Sequence, residues 1–298
     1  MAFAHDQSSE CAKSELDAFS VPSTQTDIEY GNYVEYHPLS SITDSGPIEF
    51  DVSSSGQYYL DFSNTQLLVK VKLTRGNGVD ITDADHVGEV NLFLHSLFQQ
   101  VDVSLNDVQV SQLSGMYAYR AYIESLLSYG PQAKNYLLTA ALFYKDIYKY
   151  TAGNMDRPNP AHANEEEMNF GLQKRASFTA EGATVDLIDR MHSDVYFHDR
   201  FMLNEVNVKV RLVRNKDSFC LMSGEAEATY KVTIISAVLL VRKVQLSPSV
   251  FLAHAKVLNS GLAKNTSDAS YAIHTLFRRE TWTEITRNCL PGNAQQES

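Results

Sequence analysis

RMHSDVYFHDRFMLNEVNVKVRLVR, Arg190 to Arg214, holds two histidines, three acidic residues and a run of alternating valines. In its second half Val206, Val208, Val210 and Leu212 alternate with Asn207, Lys209 and Arg211. A period of two marks a strand with one buried side. Its first half contains His192-Ser193-Asp194. Continued as a strand, it would place His192, Asp194, Tyr196 and His198 on one face and Met191, Val195 and Phe197 on the other. A His-x-Asp pair on a strand is two thirds of a two-histidine, one-carboxylate iron site, which also needs a distal histidine. His254 falls in a predicted helix, His198 is too near along the same strand, and His274 lies in an irregular tail. No arginine for an oxo-acid carboxylate is identifiable either. The simpler reading makes the polar set the wet face of structural sheet and the apolar set its buried face. Catalytic, cofactor-binding and metal residues are therefore expected to be none, and no cofactor is expected. On this reading Val208→Asp should abolish soluble expression and His192→Ala should be nearly silent.

Working outward, residues 1–25 are rich in Ser, Asp and Gln and read as a loose tail; the β pattern starts at Ile28. QLLVKVKLTRGNG sets Leu67, Val69, Val71 and Leu73 against Lys70, Lys72 and Thr74, and Gly76-Asn77-Gly78 ends the strand as a turn. In VDVSLNDVQV, Val101, Val103 and Leu105 alternate, Asn106-Asp107 interrupts, and Val108 and Val110 resume on the other parity, which predicts a tight hairpin. TYKVTIISAVLLVRKVQL reads as a strand of one parity from Tyr230 through Val232, Ile234, Val238 and Leu240 to Val244 and Leu246. Its middle is apolar on both faces, which predicts a central strand buried on both sides.

Helical spacing appears midway. Met116, Tyr119, Ile123, Leu126 and Leu127 recur as one stripe, closed by Gly130-Pro131. A second helix is predicted from about Gln132 to Tyr144, with Leu137, Ala141 and Tyr144 as its stripe. Both stripes are expected to pack against the sheet ends. A long exposed loop follows at about 150–170, including the Glu165-Glu166-Glu167 run, which reads as a solvated charge cluster. Ser247-Pro248 supplies an N-cap and first turn for a helix predicted to end at Gly261. His95, beside large apolar residues, reads as a hydrogen-bonded core or interface histidine. Strands without strand–helix alternation argue against a parallel α/β sheet. They argue for a mainly β, antiparallel jelly-roll sandwich with inserted helices.

The bulk numbers narrow the partners. The chain has 298 residues, 44% hydrophobic content and a formal net charge of −11. Such acidity disfavours direct nucleic-acid binding, which needs a basic footprint. Cys11, Cys220 and Cys289 form no CxxC or CxxH spacing, so neither a disulfide framework nor a zinc finger is indicated. The N-terminus lacks the continuous apolar segment of a signal peptide, and Val232–Val241 is too short to span a bilayer. A soluble protein made inside the cell is expected.

Several stretches together resemble a known family. SVPSTQTDIEYGNYVEYHPLSSITDSGPIEF, VNLFLHSLFQQVDVSLND, YRAYIESLLSYG, SFCLMS and VRKVQLSPSVFLAHAKVL, in order from about Val21 to Lys264, are similar to the major capsid protein of Maverick/Polinton elements and adintovirus-like viruses. The resemblance implies a hexon-like virion protein with two jelly rolls side by side. Its implied partners are copies of itself, as homotrimers and neighbouring capsomers, together with a penton or minor capsid protein. It implies no enzyme, no cofactor, no direct nucleic-acid binding and no membrane span. On it the chain divides into a tail (1–25) and a jelly-roll domain (26–246) with a helical insertion at about 116–145. A linker helix and an incomplete second jelly roll (247–298) follow, the tail from about Asn265 reading as truncated or frame-shifted. The competing reading is a jelly-roll iron/2-oxoglutarate-type oxygenase using His192 and Asp194. A cell-surface binding module ranks last.

Overall fold

The two longest alternating runs pair with each other. The computed structural model describes residues 24–42, 46–53, 56–82, 84–111, 115–146, 169–204, 206–223 and 229–259. In it β3 (Tyr58–Arg75) and β10 (Tyr230–Leu246) run antiparallel, from Tyr58 opposite Gln245 to Arg75 opposite Tyr230. β1 (Ile28–Tyr36) lies on the other edge of β10, and β7 (Thr184–Asp189) on the other edge of β3, so the first sheet is ordered β1-β10-β3-β7. The second sheet is β2-β8-β5-β6, from β2 (Ile48–Val52), β8 (Val208–Arg214), β5 (Phe98–Leu105) and β6 (Val108–Gln109). A small ladder of β4 (Val87–Glu89) and β9 (Leu221–Ser223) stands apart.

The chain changes sheet at almost every connection between sandwich strands: β1 first, β2 second, β3 first, β5 and β6 second, β7 first, β8 second, β10 first. Two four-stranded antiparallel sheets woven in this order form a jelly roll. The alternating residues meet between the sheets. Leu67, Val69, Val71 and Leu73 of β3 are buried, as are Val101, Val103 and Leu105 of β5 and Val208, Val210 and Leu212 of β8. Phe50 and Ile48 of β2 close the same core. Asn106 and Asp107 both adopt the left-handed conformation, φ 47° and 66°, as a two-residue hairpin between β5 and β6 requires.

The reading of β10 needs correcting in its middle. Val232 and Ile234 face the core, but register shifts at Ile234/Ser236 and Leu240/Arg242 change the parity twice. Ala237, Leu239 and Val241 are buried instead of Val238 and Leu240, and the core parity returns at Val244. A β-bulge inserts one residue and moves every later side chain to the opposite face. The strand is central, yet Val238 and Leu240 stay half-exposed, so it is not buried on both sides.

The insertion is also shorter in its helices than expected. α1 (Phe93–Ser96) precedes β5, and α2 (Tyr117–Ser128) and α3 (Pro131–Tyr136) follow β6. The helix predicted to reach Tyr144 stops at Tyr136 and gives way to a 3-10 turn, Leu138–Ala141. Leu142, at φ 58°, then turns the chain out of the helical path. Leu138, Ala141 and Leu142 enter the core, and the turn at Leu142 brings Phe143, which lies off their helical stripe, in with them, while Leu137 is left outside. After the 147–168 segment, α4 (Phe170–Phe178) starts at Asn169, whose side-chain oxygen accepts from the Leu172 N–H. α5 (Asp217–Cys220) precedes β9, and α6 (Pro248–Asn259) follows β10. Val250 and Phe251 of α6 pack on Tyr59, Val244 and Leu246, and Tyr59 Oη lies 3.1 Å from His254 Nδ1. Residues 1–23 of the predicted tail, residues 150–168 of the predicted loop with its glutamate run, and the segment from about Asn265 lie outside the described residues; the predicted loop ends early, because 169–170 already cap and open α4.

Candidate interaction surface and its polar anchor

α2 sits on the sandwich the other way round from its sequence pattern. The residues buried on it are Tyr117, Ala121 and Ser125, one every four positions. Met116, Tyr119, Tyr122, Ile123, Leu126 and Leu127 point outward, with Ile123 53% and Leu127 82% exposed. Tyr136 and Leu137 add to this exposed set. The stripe expected to pack on the sheet ends is therefore an external apolar face. Tyr119 and Tyr122 are braced at its margin by an edge contact to Phe219 and a tilted contact to Phe143. Contiguous apolar surface rimmed by polar groups marks interaction sites on proteins.

What holds this helix inward is polar. Tyr117 Oη lies 2.9 Å from His95 Nδ1 and accepts from the His192 backbone N–H. Glu124 accepts from Arg120 of the preceding turn and lies 2.8 Å from His192 Nδ1. Arg120 also reaches Asp194. His95 Nε2 stands 3.2 Å from Asp189 Oδ2, and the His95 and His192 rings meet edge to face with centroids 4.7 Å apart. The cluster thus joins α1, α2, the end of β7 and the segment after it.

The strand expected at 191–198 does not form. Residues 190–193 are loop and Asp194–Phe197 is a 3-10 turn; Met202 makes an isolated bridge to Leu60, and the next strand starts at Val208. Three-residue periodicity replaces two, so Met191, His192, Val195 and Tyr196 are all buried. His192 is 2% exposed and is not on a wet face. Asp194 turns outward to Arg120, so His192 and Asp194 do not assemble the pair that an oxygenase reading needs. His198 stays in loop, accepting from the Arg200 N–H. His95 is a hydrogen-bonded core histidine, as expected.

Burial and neighbours set the charges here. Desolvation lowers the His192 pKa against the pull of Glu124, favouring the neutral ring. Burial would raise Asp189 and Glu124, but hydrogen bonds from His95 to the first and from His192 and Arg120 to the second hold both below their ordinary values. Burial raises the Tyr117 phenol, keeping its proton in place. The sequence alone does not single out Asp189, Glu124 or Tyr117. One signal is legible in it: Tyr117, Arg120 and Glu124 share helical spacing inside an otherwise apolar stretch, which marks a polar inner face.

No protein-family model matches the chain. Over 227 residues it is 24% identical to an uncharacterized protein of Caenorhabditis elegans, covering 73% of this chain and 50% of that one. The chain thus spans about half the length of this curated relative. Among solved structures, a chain of the Sputnik virophage aligns over 81% of this chain and 53% of its own, with 12% identity and TM-score 0.49. Faustovirus major capsid protein aligns over 80% and 58%, with 9% identity and TM-score 0.49. For mavirus major capsid protein the coverage is 83% and 54%, the identity 13% and the TM-score 0.39. Among the described residues no helix is long and apolar enough to cross a membrane.

Proposed function

We propose that the chain is a structural shell subunit, a jelly-roll major capsid protein that associates with copies of itself into trimeric capsomers of a virion. The carrying observation is the apolar outer face of α2, presented on a jelly-roll sandwich by a polar anchor. A helix stabilised only by its own apolar burial would turn Ile123 and Leu127 inward. Here hydrogen bonds fix the inner side, so the apolar side is free for another molecule. The family resemblance read in the sequence supports a second copy as that molecule, with Maverick/Polinton elements and adintovirus-like viruses as the class. The division into a jelly-roll domain at 26–246 and a further region from 247 belongs to the same reading. So does a penton or minor capsid protein as a further partner. The net charge of −11 suits a shell that encloses a genome without gripping it.

Size-exclusion chromatography with light scattering on the full chain tests this. The expected result is a concentration-dependent trimer that Ile123→Glu with Leu127→Glu converts to monomer. Because both side chains are exposed, the paired variant should melt within a few degrees of the parent. A wild-type chain that stays monomeric at all concentrations, or a trimer indifferent to the pair, overturns the proposal.

A further inference from the structure

The polar anchor contains more than hydrogen bonds require. His95, Asp189 and His192 each offer one ligand atom, and these atoms lie within 4.8 Å of one another. Two imidazoles and one carboxylate are a donor set for divalent transition ions. The geometry points to a metal site here that takes an ion of the zinc class and ties α1, the end of β7 and the following loop into one unit beneath α2.

Two observations carry it. First, the spacing is close to what an ion needs. Zinc bonds of about 2.0–2.2 Å in a tetrahedron place donors roughly 3.2–3.5 Å apart. His95 Nε2 and Asp189 Oδ2 already stand 3.2 Å apart. With 4.8 Å as the widest separation in the set, the remaining donors close by no more than about 1.5 Å. Second, each ring has an outer partner on its other nitrogen. Metal-ligating histidines usually donate their second N–H to a carboxylate or another acceptor, which fixes tautomer and orientation. His192 Nδ1 meets the Glu124 carboxylate at 2.8 Å, and His95 Nδ1 meets the Tyr117 hydroxyl at 2.9 Å. With Nδ1–H donating outward in both rings, both Nε2 lone pairs are left for an ion. His95 needs only to move its ring proton from Nε2, where it now serves Asp189, to Nδ1. Oxygen-seeking calcium and magnesium do not suit a set with two nitrogens.

The outer partners of the two rings, Glu124 and Tyr117, both belong to α2. An ion would therefore stiffen the base of the external apolar face without taking part in it.

The test uses the full chain, freed of metal, loaded with Zn²⁺ and desalted, then assayed for bound zinc by mass spectrometry. One zinc per chain is expected, with a melting temperature raised by about 5 °C or more at a hundredfold excess of free zinc over Kd. Co²⁺ in place of zinc should give the intense visible bands of a tetrahedral site. Asp189→Asn and His95→Gln should each lose the uptake and the bands while keeping the circular-dichroism spectrum of the metal-free chain. No stoichiometric uptake by a natively folded wild type overturns the site, as does uptake unchanged in both variants, which would locate the metal on surface histidines. Should either variant fail to fold, the wild-type cobalt spectrum decides alone, and absence of tetrahedral bands overturns the proposal.

Discussion

Arg175 is the most heavily committed buried charge in the described structure, and its replacement by methionine gives a worked prediction. Its guanidinium is fully buried: Nε donates to the Glu89 carbonyl at 2.7 Å, a terminal nitrogen donates to the Tyr144 carbonyl, and the other meets Asp146 Oδ1 at 2.8 Å. One side chain thereby binds α4 to β4 and to the chain leaving the insertion. Methionine fills similar volume but supplies no donor. Removing one partner of a buried charged pair costs about 3–5 kcal/mol, because the other groups stay desolvated. The Asp146 side chain is 20% exposed and can recover some hydration, so the lower half of that range applies. With a urea m-value of about 3 kcal/mol/M for a chain of this size, the unfolding midpoint should fall by roughly 1–1.3 M. Asp146→Asn keeps an acceptor oxygen beside the guanidinium and should cost only about a third as much. A midpoint for Arg175→Met within about 0.3 M of the parent would refute the reasoning, showing that α4 is held by apolar packing alone.

Val208→Asp buries an unpaired carboxylate between the sheets and should cost more than about 4 kcal/mol, read as loss of soluble expression. His192→Ala, expected from sequence to be silent, should instead cost about 2–3 kcal/mol, because it opens space in the core and leaves Glu124 half-buried without its imidazole; an unchanged melt would restore the wet-face reading. Hydrogen bonds from Arg75, and from Thr82 and Tyr230, hold the Asp85 carboxyl well below the usual carboxylate range. Since folding lowers that pKa, its contribution is complete above about pH 4 and is lost as pH falls further; Asp85→Asn should flatten this acid limb in thermal melts. Gly182 has φ 72° and its absent Cβ would stand 2.8 Å from Asp80 Cβ, so Gly182→Ala should lower the melting temperature by several degrees, reflecting about 1–3 kcal/mol of strain.

How far the sequence reaches depends on which force decides each element. The jelly roll is legible because the sandwich is decided by local alternation: Leu67 to Leu73, Val101 to Leu105 and Val208 to Leu212 each state which side is buried, and the structure agrees. Alternation fails where one residue is inserted. Nothing in SAVLL marks the bulges that put Ala237 and Leu239 inside and Val238 and Leu240 at the margin, since all of these are acceptable on either face. The 3-10 turn at Asp194–Phe197 escapes for the same reason: His-x-Asp-x-Tyr-x-His satisfies a period of two, and only the tertiary pull on Tyr196 and Val195 breaks it.

α2 departs from its sequence pattern differently, and more informatively. Its apolar stripe is a genuine stripe whose partner is not the chain's own sheet. Amphipathic reasoning assigns the apolar face to the core because hydrophobic burial usually outweighs the other contributions to folding. That inference assumes that the only available core is the chain's own. At α2 the inner face is stabilised by long-range hydrogen bonds, Tyr117 to His95 across 22 positions and Glu124 to His192 across 68. No window of local sequence contains both partners of either bond. Once those contacts exist, the orientation that buries Ala121 and Ser125 exposes Leu127 and Ile123, and on the capsomer proposal the energy of covering them comes from association. The same sequence feature thus fits two states, monomer core or subunit interface. What separates them is the buried polar cluster on the opposite side of the helix. A polar inner face with an apolar outer face is what the capsomer proposal requires of a helix that meets another copy of the chain.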